Sequence, residues 1–133
     1  MAAVRRTRSV SPRGARNYLQ KAEEFAISME QGLEEGRWNA AALSAVHAAI
    51  SAGDAMLAAF VGIRSAEQDH RQIVSLLSDH LGEDGHKMAN HVQRVVARKN
   101  LVEYEDRLVK ESDAVQMAEH VRRLLQQVRE KLR

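Results

Sequence analysis

Within ARKNLVEYEDR, residues 97–107, four side chains able to bind or move charge fall close together: Arg98, Asn100, Glu103 and Tyr104. In a helix Asn100, Glu103 and Tyr104 stand at i, i+3 and i+4 and share one face. The forked donors of Arg98 suit a phosphate, and Glu103 and Tyr104 are the groups nearby that could take a proton. A tyrosine, with an ordinary pKa near 10, is a poor base at neutral pH, and Glu103 would serve only if burial raised its pKa. The same charges also fit a solvated surface, because Glu103 with Arg107 and Asp106 with Lys110 have the favourable i→i+4 orientation. Position marks the stretch as a site candidate: the apolar stripe Val92, Val95, Val96 loses its register there and resumes as Leu101 and Leu108.

A second polar feature lies earlier. Ser44, His47, Ser51 and Asp54 line up at i, i+3, i+7 and i+10 on a segment otherwise apolar nearly all round. A buried, unpaired Asp54 would cost several kcal/mol, so it calls for a partner, with an arginine or histidine of another helix the natural one. It reads equally as a cleft carboxylate and as a pairing residue that fixes helix register. His47 reads as a satisfied core histidine. The six histidines include no H-x-x-x-H pair, and His86 and His91 are five apart, so no metal site is expected.

These residues ride on helical elements. Ala15, Leu19, Ala22, Ala26, Met29 and Leu33 recur at spacings of four and three, and Gly36 is placed to end that helix. A second helix is expected from near Trp38 to about Phe60, rich in alanine and buried on most sides. Ser65 to Gln68 has the form of a capping box and would open a third helix carrying Ile73, Val74, Leu77 and Leu81, closed by Gly82–Gly85. A fourth would open near His86, and periodicity permits it to reach about Lys110. The last holds Ala114, Ala118, Val121, Leu125, Val128 and Leu132, with Ser112 or Asp113 as cap. The fold class expected is all-α, an antiparallel up-and-down bundle of four to five helices over residues 15–133.

Composition agrees: one proline, 4% aromatics and no cysteine in 133 residues favour helix and exclude disulfides and cysteine nucleophiles. Arg5, Arg6, Arg8, Arg13 and Arg16 precede the first acid, and the formal net charge of +2 falls to −3 once these five are set aside. Residues 1–14 therefore read as a basic, disordered tail, either solubilising or an RNA-binding arm. No uninterrupted apolar run reaches the ~18 residues of a membrane span, and no hydrophobic segment follows the basic start as in a signal peptide. A soluble, cytoplasmic protein is expected.

The order of elements, with WNAAALSAVHAAISAGDAMLAAF, SAEQDHRQIVSLL, RKNLVEYED and VKESDAVQMAEHV, resembles the HEPN family of small helical bundles over about Ala15 to Leu132. RKNLVEYED is similar to an R-x-N-x-x-[DE]-Y signature of one branch, and His70 sits where related sequences often have a histidine. The resemblance implies dimers that pair through the late helices. It implies either metal-independent ribonucleases of toxin–antitoxin or defence systems, or proteins that bind nucleotide and associate with a nucleotidyltransferase or antitoxin. It implies no cofactor. Arg98 matches the arginine of the nuclease motif and Asn100 its polar companion. Glu103, Tyr104 and Glu105 occupy the positions where that motif carries its histidine, so enzyme activity stays open. On this resemblance the candidate catalytic residues are Arg98, Glu103 and Tyr104, and the candidate nucleotide or RNA ligands Arg98, Asn100 and Asp54, in a cleft near a homodimer axis. The alternative is a non-catalytic interaction module. The residues after Glu103-Tyr104 would form a connector, ending the fourth helix near Glu103–Asp106.

Overall fold

The computed structural model describes residues 7–65 and 70–132. Among them a short strand β1 (Thr7–Ser9) leads into α1 (Pro12–Glu34), α2 (Trp38–Phe60), strand β2 (Ile63–Ser65), α3 (Arg71–His80), α4 (Gly82–Val96), α5 (Lys99–Glu103) and α6 (Glu111–Lys131). The architecture is all-α apart from the three-residue antiparallel pairing of β1 with β2, in which Arg8 faces Arg64.

The basic segment is structured from Thr7 onward, unlike the expected tail. Ser11 caps α1 by accepting from the Gly14 amide at 3.4 Å, and Pro12 takes the first helical position, where its missing N–H costs nothing. Arg5 and Arg6 lie outside the described residues, as does most of the expected Ser65–Gln68 capping box.

Gly36 ends α1 as its position predicts. With φ of +70° it turns the chain so that the Arg37 amide reaches back to the Gly32 carbonyl at 2.8 Å, a Schellman closure. α2 then occupies the centre, packed against α1, α6, α4 and α3. By length and composition α2 could cross a membrane, but most of it is buried inside the bundle as a core helix is. Its alanines let neighbours approach closely, and Met56, Leu57, Val46 and Ala45 join Met29, Ile73, Leu77, Val92, Val121 and Leu124 in one continuous core.

Two boundaries differ from expectation. Gly82–Gly85 is the first turn of α4 rather than a loop, with the acids Glu83 and Asp84 at the helix N-terminus, where the dipole favours them. α6 starts at Glu111 with Lys110 at the cap position, a side chain with no acceptor, so the expected Ser112 or Asp113 cap lies inside the helix instead.

α6 is tied along both edges. Toward α1, Glu23 meets Arg129 at 2.6 Å and Glu30 meets Arg122 at 2.6 Å, each through two contacts. Toward α4, Asp84 pairs with Lys131 at 2.7 Å, His91 with His120 at 3.0 Å and Arg98 with Asp113 at 2.7 Å. Asp84, His91 and Arg98 recur every seven residues, two helical turns, and meet Lys131, His120 and Asp113 in reverse chain order, an antiparallel seam.

Candidate functional site

α4 stops at Val96, the last of its inward residues, and Ala97–Arg98 turn the chain into the single turn of α5. The helix ends at Glu103, with the Tyr104 and Glu105 amides both reaching the Asn100 carbonyl, at 2.9 and 3.2 Å. Residues 104–110 form the connector that the resemblance implies, not the helix that periodicity permits. It is held down where the Val109 amide donates to Asn39 Oδ1 of α2 at 2.9 Å.

The corner divides the motif between two sides. Arg98, the hinge residue, donates from Nη1 to Asp113 Oδ1 in the first turn of α6. The side chain of Arg98 keeps 40% of its exposure and that of Asp113 only 19%, so the pair sits at a half-open edge of the bundle. Lys99 and Asn100 face the other way. With Gln93, Val96, Ala97, and His70 and Arg71 from the start of α3, they line a cleft of about 420 Å³. Three of those side chains are basic or imidazole and two are amides, a lining suited to an anion.

Glu103 does not have the environment of a base. It pairs with Lys99 at 2.9 Å, and that hydrogen bond, which outweighs the effect of burial, holds its carboxyl below the usual range; Tyr104 and the charge of His47 act in the same direction. The condition for Glu103 as a proton acceptor, a raised pKa, is not met. Tyr104 is 74% exposed, with the Lys99 ammonium 5.2 Å from its ring centre. The expected surface pairs are replaced: Glu103 takes Lys99, and Arg107 takes Glu105 at 3.0 Å.

Asp54 is not part of this corner. It lies seven residues, roughly 10 Å of helix rise, beyond His47, which is the α2 residue close enough to act on Glu103. Its charged neighbours are Arg64 of β2 and Lys21 of α1, with Tyr18 alongside. Burial overrides both cations and pushes the Asp54 carboxyl up to about 7, and its Oδ1 has no hydrogen-bond partner. The expected partner from another helix is therefore supplied by electrostatic attraction from a lysine and a strand arginine. His47 is exposed rather than a core histidine, its ring 5.1 Å from that of Phe25.

The feature that the sequence conceals is His91 with His120. They stand 29 positions apart, with Arg94, Arg123 and Glu119 as charges that act on His120. The seven-residue recurrence of Asp84, His91 and Arg98 is the signal that could have exposed the seam. Among the described residues no three His, Asp or Glu side chains gather to hold a metal ion.

A family model, the HEPN domain, matches residues 15–131. The chain belongs to the HEPN family. The match opens in the first turn of α1 and closes on the last residue of α6, so the HEPN unit takes in every helix, the RKNLVEYED corner and both edges of α6. No curated protein matches the chain. In this HEPN chain Arg98 projects onto α6, and the residues that follow it are spent on an ion pair and an exposed tyrosine.

Proposed function

We propose that this HEPN protein binds the phosphate of a nucleotide or RNA at the α4–α5 corner, as a homodimer of the bacterial toxin–antitoxin or defence type. The observation that carries the reading is the cleft lined by His70, Arg71, Lys99 and Asn100, across the corner from the Arg98–Asp113 pair. A guanidinium has five donors, and the contact to Asp113 uses one N–H of Arg98, which leaves others to meet an anion. Binding fits the residues better than cutting. No histidine follows Arg98 at motif distance, and Glu103 is held ionised by Lys99.

The experiment is RNA binding and cleavage in EDTA by the wild-type chain and by Arg98→Ala. Retained RNA or nucleotide binding without cleavage by the wild type, weakened at least several-fold in the variant, is the expected result. Cleavage by the wild type and not by the variant would instead assign a metal-independent ribonuclease. Binding equal in both proteins would sink the role of Arg98.

A second reading, an interaction module for a nucleotidyltransferase or antitoxin, rests on the apolar residues exposed beside the corner: Tyr104, Leu108 at 80% exposure, and Val115. These either meet a second copy or such a partner, and the oligomeric state in solution separates the two.

A further inference from the structure

One end of the bundle gathers basic and apolar side chains that the corner does not use. Arg8 of β1 and Arg13 and Arg16 of α1 are all exposed. The first turn of α1 holds no acid, and the first carboxylate of the chain is Glu23. Among the described residues no carboxylate pairs with any of these three arginines. Arg13 precedes Arg16 by one helical turn, so the two share a face. Register places Arg8 directly opposite Arg64 of β2, and like charges that face each other across a ladder repel. Arg64 has Asp54 inside the bundle to act on; Arg8 has no such group among the described residues. In the last turn of α6, Arg129 and Lys131 are spent on Glu23 and Asp84, and exposed Glu130 subtracts one charge.

The same end is apolar at its middle. α2 finishes on Ala59 and Phe60, both exposed, Phe60 by 54%. The Val10 amide donates to the Gly62 carbonyl at 2.8 Å, which brings the end of β1 against the exit of α2. At Ala59 a hollow of about 190 Å³ opens, lined also by Pro12, Ala15, Arg16, Leu19 and Leu132. Arg16 supplies its only charge. A nucleic acid would satisfy the arginines and leave this apolar middle wet. Phe60 offers one ring and the hollow holds no aromatic, whereas strand binding stacks successive bases on such rings. The surface of an anionic bilayer answers both halves. Its phosphates meet the guanidiniums, and a ring with small aliphatic neighbours enters the boundary between headgroups and acyl chains.

We propose that the end of the bundle formed by Arg8, Arg13, Arg16 and Phe60 docks on an anionic phospholipid surface, with Phe60 inserted and the arginines at the level of the phosphates. None of these residues lines the cleft at the α4–α5 corner, so the two surfaces are separate. Once the five arginines before Glu23 are set aside, the rest of the chain carries −3 and is repelled by such a surface, which orients the approach. The contact is peripheral: a few cations and one ring give reversible binding and no spanning helix.

The test is sedimentation of the full chain with two kinds of vesicle, phosphatidylcholine alone and equal parts phosphatidylcholine and phosphatidylglycerol, at low and at high salt. The chain should sediment with the anionic vesicles only, and salt should release it by screening the charges. Each arginine near such a surface is worth roughly fivefold in partitioning, so Arg13→Ala combined with Arg16→Ala should weaken binding by roughly 25-fold. Both positions are exposed, so helix content by circular dichroism and nucleotide binding at the corner should persist in that double variant. Phe60→Ala should weaken vesicle binding several-fold and leave its salt dependence alone. Phe60→Trp carries a reporter into the contact: anionic vesicles should shift its emission to the blue, measured against the Trp38 signal of the wild type. Equal binding to both vesicles, binding to neither, an undiminished double variant or an unshifted Phe60→Trp emission overturns the proposal. So does a double variant that loses binding to single-stranded RNA while the wild type ignores vesicles, which assigns this end to nucleic acid.

Discussion

Asp54 and Glu103 show how two carboxylates of one chain acquire opposite properties. Glu103 has a lysine one helical turn away and is held ionised; Asp54 is buried against charges that do not reach its Oδ1, and ionisation is driven up to about 7. The unfolded chain releases the Asp54 proton near 3.8, so between 3.8 and about 7 the folded state binds more protons than the unfolded one. The stability this group contributes is full below 3.8 and is lost as pH rises through about 7. Asp54→Asn, which stays neutral, should therefore melt at a higher temperature than wild type at pH 8, and the difference should shrink toward pH 4. Thermal melts across that range check it, and a difference independent of pH would remove the buried charge as the cause. That Asp54 is under strain was legible from the apolar company it keeps in α2. That it belongs with Tyr18, Lys21 and Arg64 rather than with Arg98 was not, because sequence spacing gives the angle around a helix and not the element that faces it.

At the scale of elements, α2 is the segment read most fully. Gly36 and Gly62 bracket it and its composition declares its burial, so Trp38–Phe60 is bounded as expected. The start of α4 was misread because Gly-Glu-Asp-Gly has the composition of a loop. Gly85 is there for a different reason. A Cβ at that position would stand 2.2 Å from the Leu77 carbonyl and 2.7 Å from the Leu81 side chain, so α3 and α4 meet at a corner with no room for one. Gly85→Ala should destabilise the fold by about 1–3 kcal/mol, the usual range for overpacking. Urea unfolding with an unchanged slope would show the loss to be one of native packing, and a neutral result would mean that the corner yields. Helix periodicity continued past Tyr104 while the chain did not, because Asn39 and the buried Val109 fix the connector from a distance of 70 residues. His91 and His120 were invisible as a pair for the same reason: each sits on its own helix without a local signal, and only the antiparallel docking of α4 on α6 joins them.

For the whole molecule, the two titrating centres pull in opposite directions. His91 and His120 both have lowered pKa values, so below the ordinary value of 6.5 the unfolded chain takes up protons that the folded pair refuses, and stability falls as pH drops through that window. Asp54 contributes the reverse trend over much of the same range. The wild-type pH profile should be flattened between about 4 and 7, and Asp54→Asn should expose a steeper loss on the acid side that His91→Gln then relieves. Melting temperatures of the two single variants and the double variant test this, and a profile unaffected by His91→Gln would discard the imidazole pair as the acid-sensitive element. Association is the other property of the whole molecule. If Tyr104, Leu108 and Val115 meet a second copy, Leu108→Glu should convert a dimer to a monomer in sedimentation velocity while leaving the helix content alone. A wild-type chain that sediments as a monomer would favour the partner-protein reading.

The double fastening of α6 has a consequence for the timing of synthesis. α2 is complete at Phe60, but α6, which covers it, does not begin until Glu111. At the usual pace of about 5–20 residues per second, roughly 3–10 s pass before α6 starts to emerge. Throughout that delay the most apolar helix of the chain lacks one of its main neighbours, and Glu23 and Glu30 of α1 lack the α6 arginines that will meet them. The fold therefore closes late, and nascent chains stalled between Val61 and Lys110 should be the species that chaperones hold and proteases cut.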